Sequence, residues 1–136
     1  MKTIILISCV SKKLARRANT RDIYVSPLFR LNLAYAESLK PDAIYVLSAK
    51  HGLLSLNDEI EPYNLTLNTM GTGQIRAWAS RVVQQLAEVA DLKRDRFVFL
   101  AGEKYRKFLV SDITRYEIPM QGLTIGRQLQ FLSKRA

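Results

Sequence analysis

Five side chains of this sequence have the type and setting to do chemistry: Cys9, Ser48, His51, Glu61 and Glu103. Cys9 directly follows a short apolar run. A thiol there is either a small packing residue or a nucleophile, and Lys12 and Lys13 folded back over it would favour the thiolate. His51 is the only histidine of the chain and lies in "LSAKHGLLSLNDEIEPYN", residues 47 to 64. Its ordinary pKa of about 6.5 suits proton transfer or hydrogen-bond reading at neutral pH, although a turn residue before Gly52 fits equally. Ser48 and Ser8 close apolar runs, where a hydroxyl either caps the next segment or faces a ligand. Glu61 and Glu103 are either solvated surface carboxylates or the ones best placed to activate a water.

Cations surround these groups. Lys and Arg number 21 against 12 Asp and Glu, a formal net charge of +9, which favours polyanionic partners. Residues 1 to 21 contain Lys2, Lys12, Lys13, Arg16, Arg17 and Arg21 and no acid. A cationic loop of Lys12, Lys13, Arg16, Arg17 and Arg21, with Lys50 beside His51, is therefore either a solvated surface loop or a contact for phosphates. Tyr63 follows Pro62, which narrows the position of its ring for stacking on a base or packing over the sheet edge.

Elements that could position these residues are legible in the hydrophobic pattern. "TIILIS" at 3 to 8 is a continuous β-branched run, the pattern of a strand buried on both faces. "AIYVLS" at 43 to 48, "RFVFLA" at 96 to 101 and, more weakly, "RYEIPM" at 115 to 120 resemble it. Ser26-Pro27 predicts an N-cap and first helical position for a helix through Leu39. From Thr72 to about Leu92, residues Ile75, Trp78, Ala79, Val82, Leu86 and Val89 keep helical spacing on one face. "GEKYRKFLV" at 102 to 110 predicts a shorter helix, and Thr124 the cap of a last one.

Strands alternating with helices predict βαβ units, hence a three-layer α/β domain over residues 1–136 with a mostly parallel sheet of four or five strands. Ligands of such sheets gather beyond the carboxyl ends of the strands. Ser8, Cys9, Ser11, Lys12 and Lys13 follow the first strand, Ser48, Lys50, His51 and Gly52 the second, Gly102, Glu103 and Tyr105 the third, Gln121 and Gly122 the fourth. The opposite ends carry linkers such as "LKPDA" and "ADLKRD".

Other classes are excluded or disfavoured. With 48% hydrophobic and 24% charged residues, the 136-residue chain can bury a core of its own. The apolar stretch near the N-terminus is too short for a signal-peptide core, and no run approaches the roughly 18 residues of a membrane span. One cysteine allows no internal disulfide and agrees with a cytoplasmic setting. One Cys and one His are too few for a structural zinc site, and neither a metal nor a cofactor is expected.

"ISCVSKK", "YVSPLFR", "LSAKHGLLSLNDEIEPYNLTL" and "PMQGLTIGRQLQFL" together resemble a bacterial and phage family known only as a domain of unknown function. The second of its loops is similar to that of the YaaA peroxide-stress proteins, with His51-Gly52-Leu53-Leu54 and Pro62-Tyr63 in the matching places. More distantly, the Cys9 motif resembles the signature of archaeosine synthase, which modifies a deazaguanine base in tRNA. These resemblances imply an α/β domain that handles a nucleobase or nucleic acid.

The leading expectation is thus a nucleic-acid-associated protein that acts on or recognises a nucleobase, by base modification or N-glycosidic hydrolysis. DNA or RNA is the expected partner, with a free nucleobase or nucleotide also compatible. A non-catalytic DNA- or RNA-binding module is the alternative. An enzyme of nucleotides or phosphosugars ranks third, because "GTGQIR" at 71 to 76 lacks the Lys-Ser/Thr ending of a phosphate loop and follows no strand.

Overall fold

The computed structural model describes residues 1–8 and 12–135, so the expected role of Cys9 falls outside the described residues. In chain order the elements are β1 (Thr3–Ser8), β2 (Ala18–Asn19), α1 (Thr20–Ile23), α2 (Pro27–Ser38), β3 (Ala43–Ser48), β4 (Gly52–Ser55), β5 (Glu59–Ile60), α3 (Thr72–Val89), β6 (Arg96–Leu100), α4 (Glu103–Arg106), β7 (Arg115–Glu117) and α5 (Ile125–Ser133).

One five-stranded sheet, in the order β4-β3-β1-β6-β7, forms the middle layer. β3, β1, β6 and β7 run parallel, and β4 pairs antiparallel with β3. β1 lies at the centre because its residues Ile4 to Ile7 are apolar on both faces, and all four are buried. Ile4 and Leu6 meet Ile75, Trp78, Val82 and Leu86 of α3 on one face. Ile5 and Ile7 meet Phe29, Leu33 and Ala36 of α2 and Leu132 of α5 on the other. Burying each such side chain contributes roughly 1.5–3 kcal/mol. The expected three-layer α/β architecture is present.

Caps set the helix starts. Ser26 Oγ accepts from the Phe29 N–H at 3.2 Å, with Pro27 at the first position, and Thr124 Oγ1 accepts from the Arg127 N–H at 3.3 Å. Three stretches depart from the sequence reading. The helix expected over 102 to 110 is only the four residues of α4, followed by a turn and a short 3-10 helix at Val110–Asp112. The stretch after His51, to which the hydrophobic pattern assigned no strand, supplies β4, and its Glu59–Ile60 pairs with Ala18–Asn19 as a two-stranded ribbon. The fourth parallel strand stops at Glu117, two residues before Pro119, which has no N–H to donate to a ladder.

The amino-terminal edge of the sheet is tied down by carboxylates. Asp42 Oδ2 accepts from the Thr3 N–H at 2.7 Å, and Asp95 accepts from the N–H groups of Lys2 and Asp91, both at 2.8 Å. Lys2 Nζ donates to the Val89 carbonyl at 3.0 Å, placing a cation at the carboxyl end of α3, where the Ala90 N–H also donates to the Leu86 carbonyl at 2.9 Å. The "linkers" at this edge are structural fasteners.

Candidate functional site at the carboxyl edge of the sheet

β3 and β4 pair from Ser48 opposite Gly52, leaving Ala49, Lys50 and His51 as the hairpin loop. Gly52 closes it at φ +75°, where a Cβ would be strained and would also collide with the Gln85 carboxamide. Three residues of one α3 face hold this loop. Trp78 Nε1 donates to the Ser48 carbonyl at 2.8 Å, Arg81 Nη2 to the Lys50 carbonyl at 3.2 Å and Gln85 Nε2 to the His51 carbonyl at 3.4 Å. Gln85 Oε1 accepts from the Leu53 N–H at 2.9 Å. Their i, i+3, i+7 spacing puts all three over the turn. His51 therefore sits on a rigid mount.

Beside that mount is a knot of hydroxyls. Ser48 Oγ accepts from the His51 N–H at 3.1 Å and donates to the Tyr63 hydroxyl at 2.8 Å. Tyr63 and Tyr24 share a hydrogen bond of 2.7 Å between their hydroxyls. The Lys13 ammonium lies 4.5 Å from the Tyr63 ring centroid and 5.7 Å from that of Tyr24. The His51 ring meets Tyr63 edge to face at 5.6 Å.

His51 Nε2 is buried and has no hydrogen-bond partner among the described residues. Burial lowers the pKa of His51 from its ordinary 6.5, and the charges of Lys50 and Arg81 lower it further against the opposing pull of Asp58. A value below 6.5 favours the neutral imidazole at pH 7. A neutral ring can accept a proton or a hydrogen bond, whereas an imidazolium can only donate.

A separate cavity of about 750 Å³ opens beyond the ends of β1, β6 and β7. The chain crosses from one side of β1 to the other between β3 and β6, so the β1/β6 edge is the topological switch point of the sheet. The Gly102 N–H donates to Ser8 Oγ at 3.1 Å and ties these two strand ends at the cavity wall. Phe99, Phe108 and Met120 contribute apolar wall, Asn32 and Gln128 amides, and Glu103, Lys104, Arg106 and Lys107 charge.

The expected site residues thus divide among three places. Ser48, His51 and Tyr63 come together with Lys13, and Lys50 projects beside them into solvent. Glu103 lines the cavity as the first residue of α4. Glu61 instead meets Arg17 at 3.4 Å on the surface, where Arg17 Nε is also 3.9 Å from Glu59. Arg21 pairs with Glu37 at 3.6 Å. Lys12 and Arg16 are exposed and have no ion pair among the described residues. No cluster of three or more His, Cys, Asp or Glu among the described residues could hold a metal.

A model of a family of unknown function, DUF6884, matches residues 4–134. The chain belongs to this family. No curated protein matches it.

In this DUF6884 domain, sequence reasoning passed over Asn32, Lys104, Arg106, Lys107 and Gln128. Asn32 was legible in one respect. Phe29, Asn32, Leu33 and Ala36 share the buried stripe of α2, so an amide stands where the helix pattern calls for an apolar side chain. The α4 cations, by contrast, look like any exposed helical charges until the sheet order brings them to the cavity.

Proposed function

We propose that this DUF6884 domain is nucleic-acid-associated and acts on or recognises a nucleobase, which enters the cavity at the β1/β6 edge. The composition of the cavity wall carries the reading. An extruded or single-stranded base needs an apolar wall, polar groups at its edge and a cationic rim. Phe99, Phe108 and Met120, then Asn32 and Ser8, then Lys104, Arg106 and Lys107 have those characters. Arg17 and Arg21 are paired with glutamates, so phosphate contacts fall to Lys12, Arg16, Lys50 and the α4 cations. The likeness of the Cys9 and His51 loops to those of base-modifying and peroxide-stress proteins agrees with this reading.

If the reaction is N-glycosidic hydrolysis, Glu103 is the base. Its carboxylate takes a proton from water as the water oxygen bonds to the sugar C1′. The glycosidic bond breaks, and the nucleobase leaves with the bonding electrons. The Ser48, Tyr63 and His51 knot fixes the neighbouring strand end.

The test is incubation with single- and double-stranded DNA carrying modified and unmodified bases, scored for base release and abasic sites. Product that disappears in Glu103→Gln supports hydrolysis. Salt-sensitive binding without product leaves recognition alone. Absence of both product and low-salt binding overturns the proposal.

A further inference from the structure

We infer that the cavity at the β1/β6 edge takes one nucleoside monophosphate unit, with Asn32 as the residue that reads its base and the α3–α4 side holding its phosphate. This rests on the nucleobase reading above and adds the substrate class, its direction in the site and the specificity-determining residue.

Asn32 is 3% exposed, and its Oδ1 is buried without a hydrogen-bond partner among the described residues. A buried amide oxygen with no partner bears its full desolvation cost with no compensating bond. An apolar residue on this core stripe would avoid that cost. Asn32 nevertheless lines the cavity; its Oδ1 has almost no accessible surface, so a ligand N–H supplies the missing donor once the amide turns about its Cβ–Cγ bond to face the cavity. Paired donor and acceptor edges are what heterocyclic bases present, and amides bind them bidentately. Gln128 of α5 lies on the same side of the sheet as Asn32 of α2, since both helices cover one face.

The opposite wall has another chemistry. α4 and the residue that follows it bring Lys104, Arg106 and Lys107, and no ion pair of the described residues engages any of them. Among the described residues, Lys104 Nζ and Arg106 Nη1 donate to the carbonyls of Asn68 and Ala101, at 3.2 and 3.1 Å. Thr72, the first residue of the 18-residue α3, also lines the cavity, and the first turn of α3 carries no acid. Its N-terminal partial charge is therefore not offset within the helix. Three cations and a helix N-terminus face one carboxylate, Glu103, which leaves that wall suited to an anion. A volume of about 750 Å³ accommodates base, sugar and phosphate together, within the usual range of roughly 300–1,000 Å³ for small-ligand sites.

The experiment uses the full chain and follows thermal shift and calorimetric binding with AMP, GMP, CMP and UMP, the four nucleosides, ribose 5-phosphate and a single-stranded oligonucleotide. At least one nucleoside monophosphate is expected to bind saturably, at least tenfold tighter than its nucleoside. Asn32→Leu is expected to bring that nucleotide down to the affinity of ribose 5-phosphate, while its ligand-free melting temperature equals or exceeds wild type. A structural asparagine would give the reverse, a lower melting temperature with unchanged affinity, and that result overturns the assignment. Lys107→Gln, on an exposed helix end, is expected to weaken the nucleotide several-fold and the nucleoside not at all. Equal losses for both would remove the phosphate end. Oligonucleotide turnover with no mononucleotide binding would refute this inference and leave the nucleobase reading standing, whereas failure of every probe would refute both.

Discussion

Ser48 Oγ and the Tyr63 hydroxyl stand 2.8 Å apart, joining the end of β3 to the Pro62-Tyr63 loop fifteen residues on. Ser48 is fully buried, so this bond has no competition from bulk water at the serine end. Tyr63→Phe removes the acceptor of Ser48 and the phenol facing Tyr24. A loss of about 1–3 kcal/mol is expected, measured by urea unfolding at constant m-value.

His51 is the only histidine, so its ring protons give an isolated NMR titration. The midpoint is expected below 6.5, chiefly from burial. The folded pKa is lowered, so the unfolded chain binds the proton more readily once the pH falls below about 6.5. His51 therefore contributes a stability loss on acidification from that point, which continues until the native ring also protonates. His51→Phe should flatten this part of the stability profile. A midpoint above 6.5 would contradict the burial of the ring.

Gly52→Ala meets two separate obstacles, the positive φ and the Gln85 carboxamide. It is expected to destabilise by about 1–2 kcal/mol from the backbone alone, and by more with Gln85 in place. In Gln85→Ala the collision vanishes and only the backbone cost remains. Comparing Gly52→Ala in the two backgrounds by thermal unfolding separates them.

Asp95 fastens the far edge of the sheet. Backbone N–H donation from Asp91 and Lys2 lowers its carboxyl pKa from the ordinary 3.8. The folded value is depressed, so the stabilisation is complete above the unfolded pKa and is lost as the pH falls through the folded one. Asp95→Asn is expected to cost about 1–3 kcal/mol at pH 7 and to lessen the acid sensitivity below pH ~4, read from unfolding between pH 2 and 7.

If nucleic acid binds, the ion pairs make a graded prediction about salt. Arg16→Ala or Lys12→Ala should each reduce the slope of log affinity against log salt by about 1 if the residue neutralises a phosphate. Arg17→Ala and Arg21→Ala should change it less, because their glutamates already hold them. Equal effects from all four would show that the surface pairs dissolve on binding.

The sheet and its helices were legible because their signals are local. A β-branched apolar run at residues 3 to 8 announces a doubly covered strand wherever it lies, and Ser26-Pro27 and Thr124 announce helix starts by chemistry confined to one turn. The grouping of Ser48 and His51 was legible for the same reason, since three residues cannot separate far around a hairpin. β4 escaped because its four residues alternate little, and its pairing is decided by β3 and by Gln85, thirty-two positions beyond Leu53.

What only the tertiary structure decided is which charges and polar groups share a space. Arg17 and Glu61 read as a phosphate contact and a water activator, yet a contact across 44 positions makes them partners. Asn32, Glu103 and Lys107 come from both faces of the sheet and reach one cavity only through the β4-β3-β1-β6-β7 order. Periodicity encodes which face of an element is buried, so the sequence by itself determined the layers. It does not encode which buried faces meet, and the composition of the cavity depends on that.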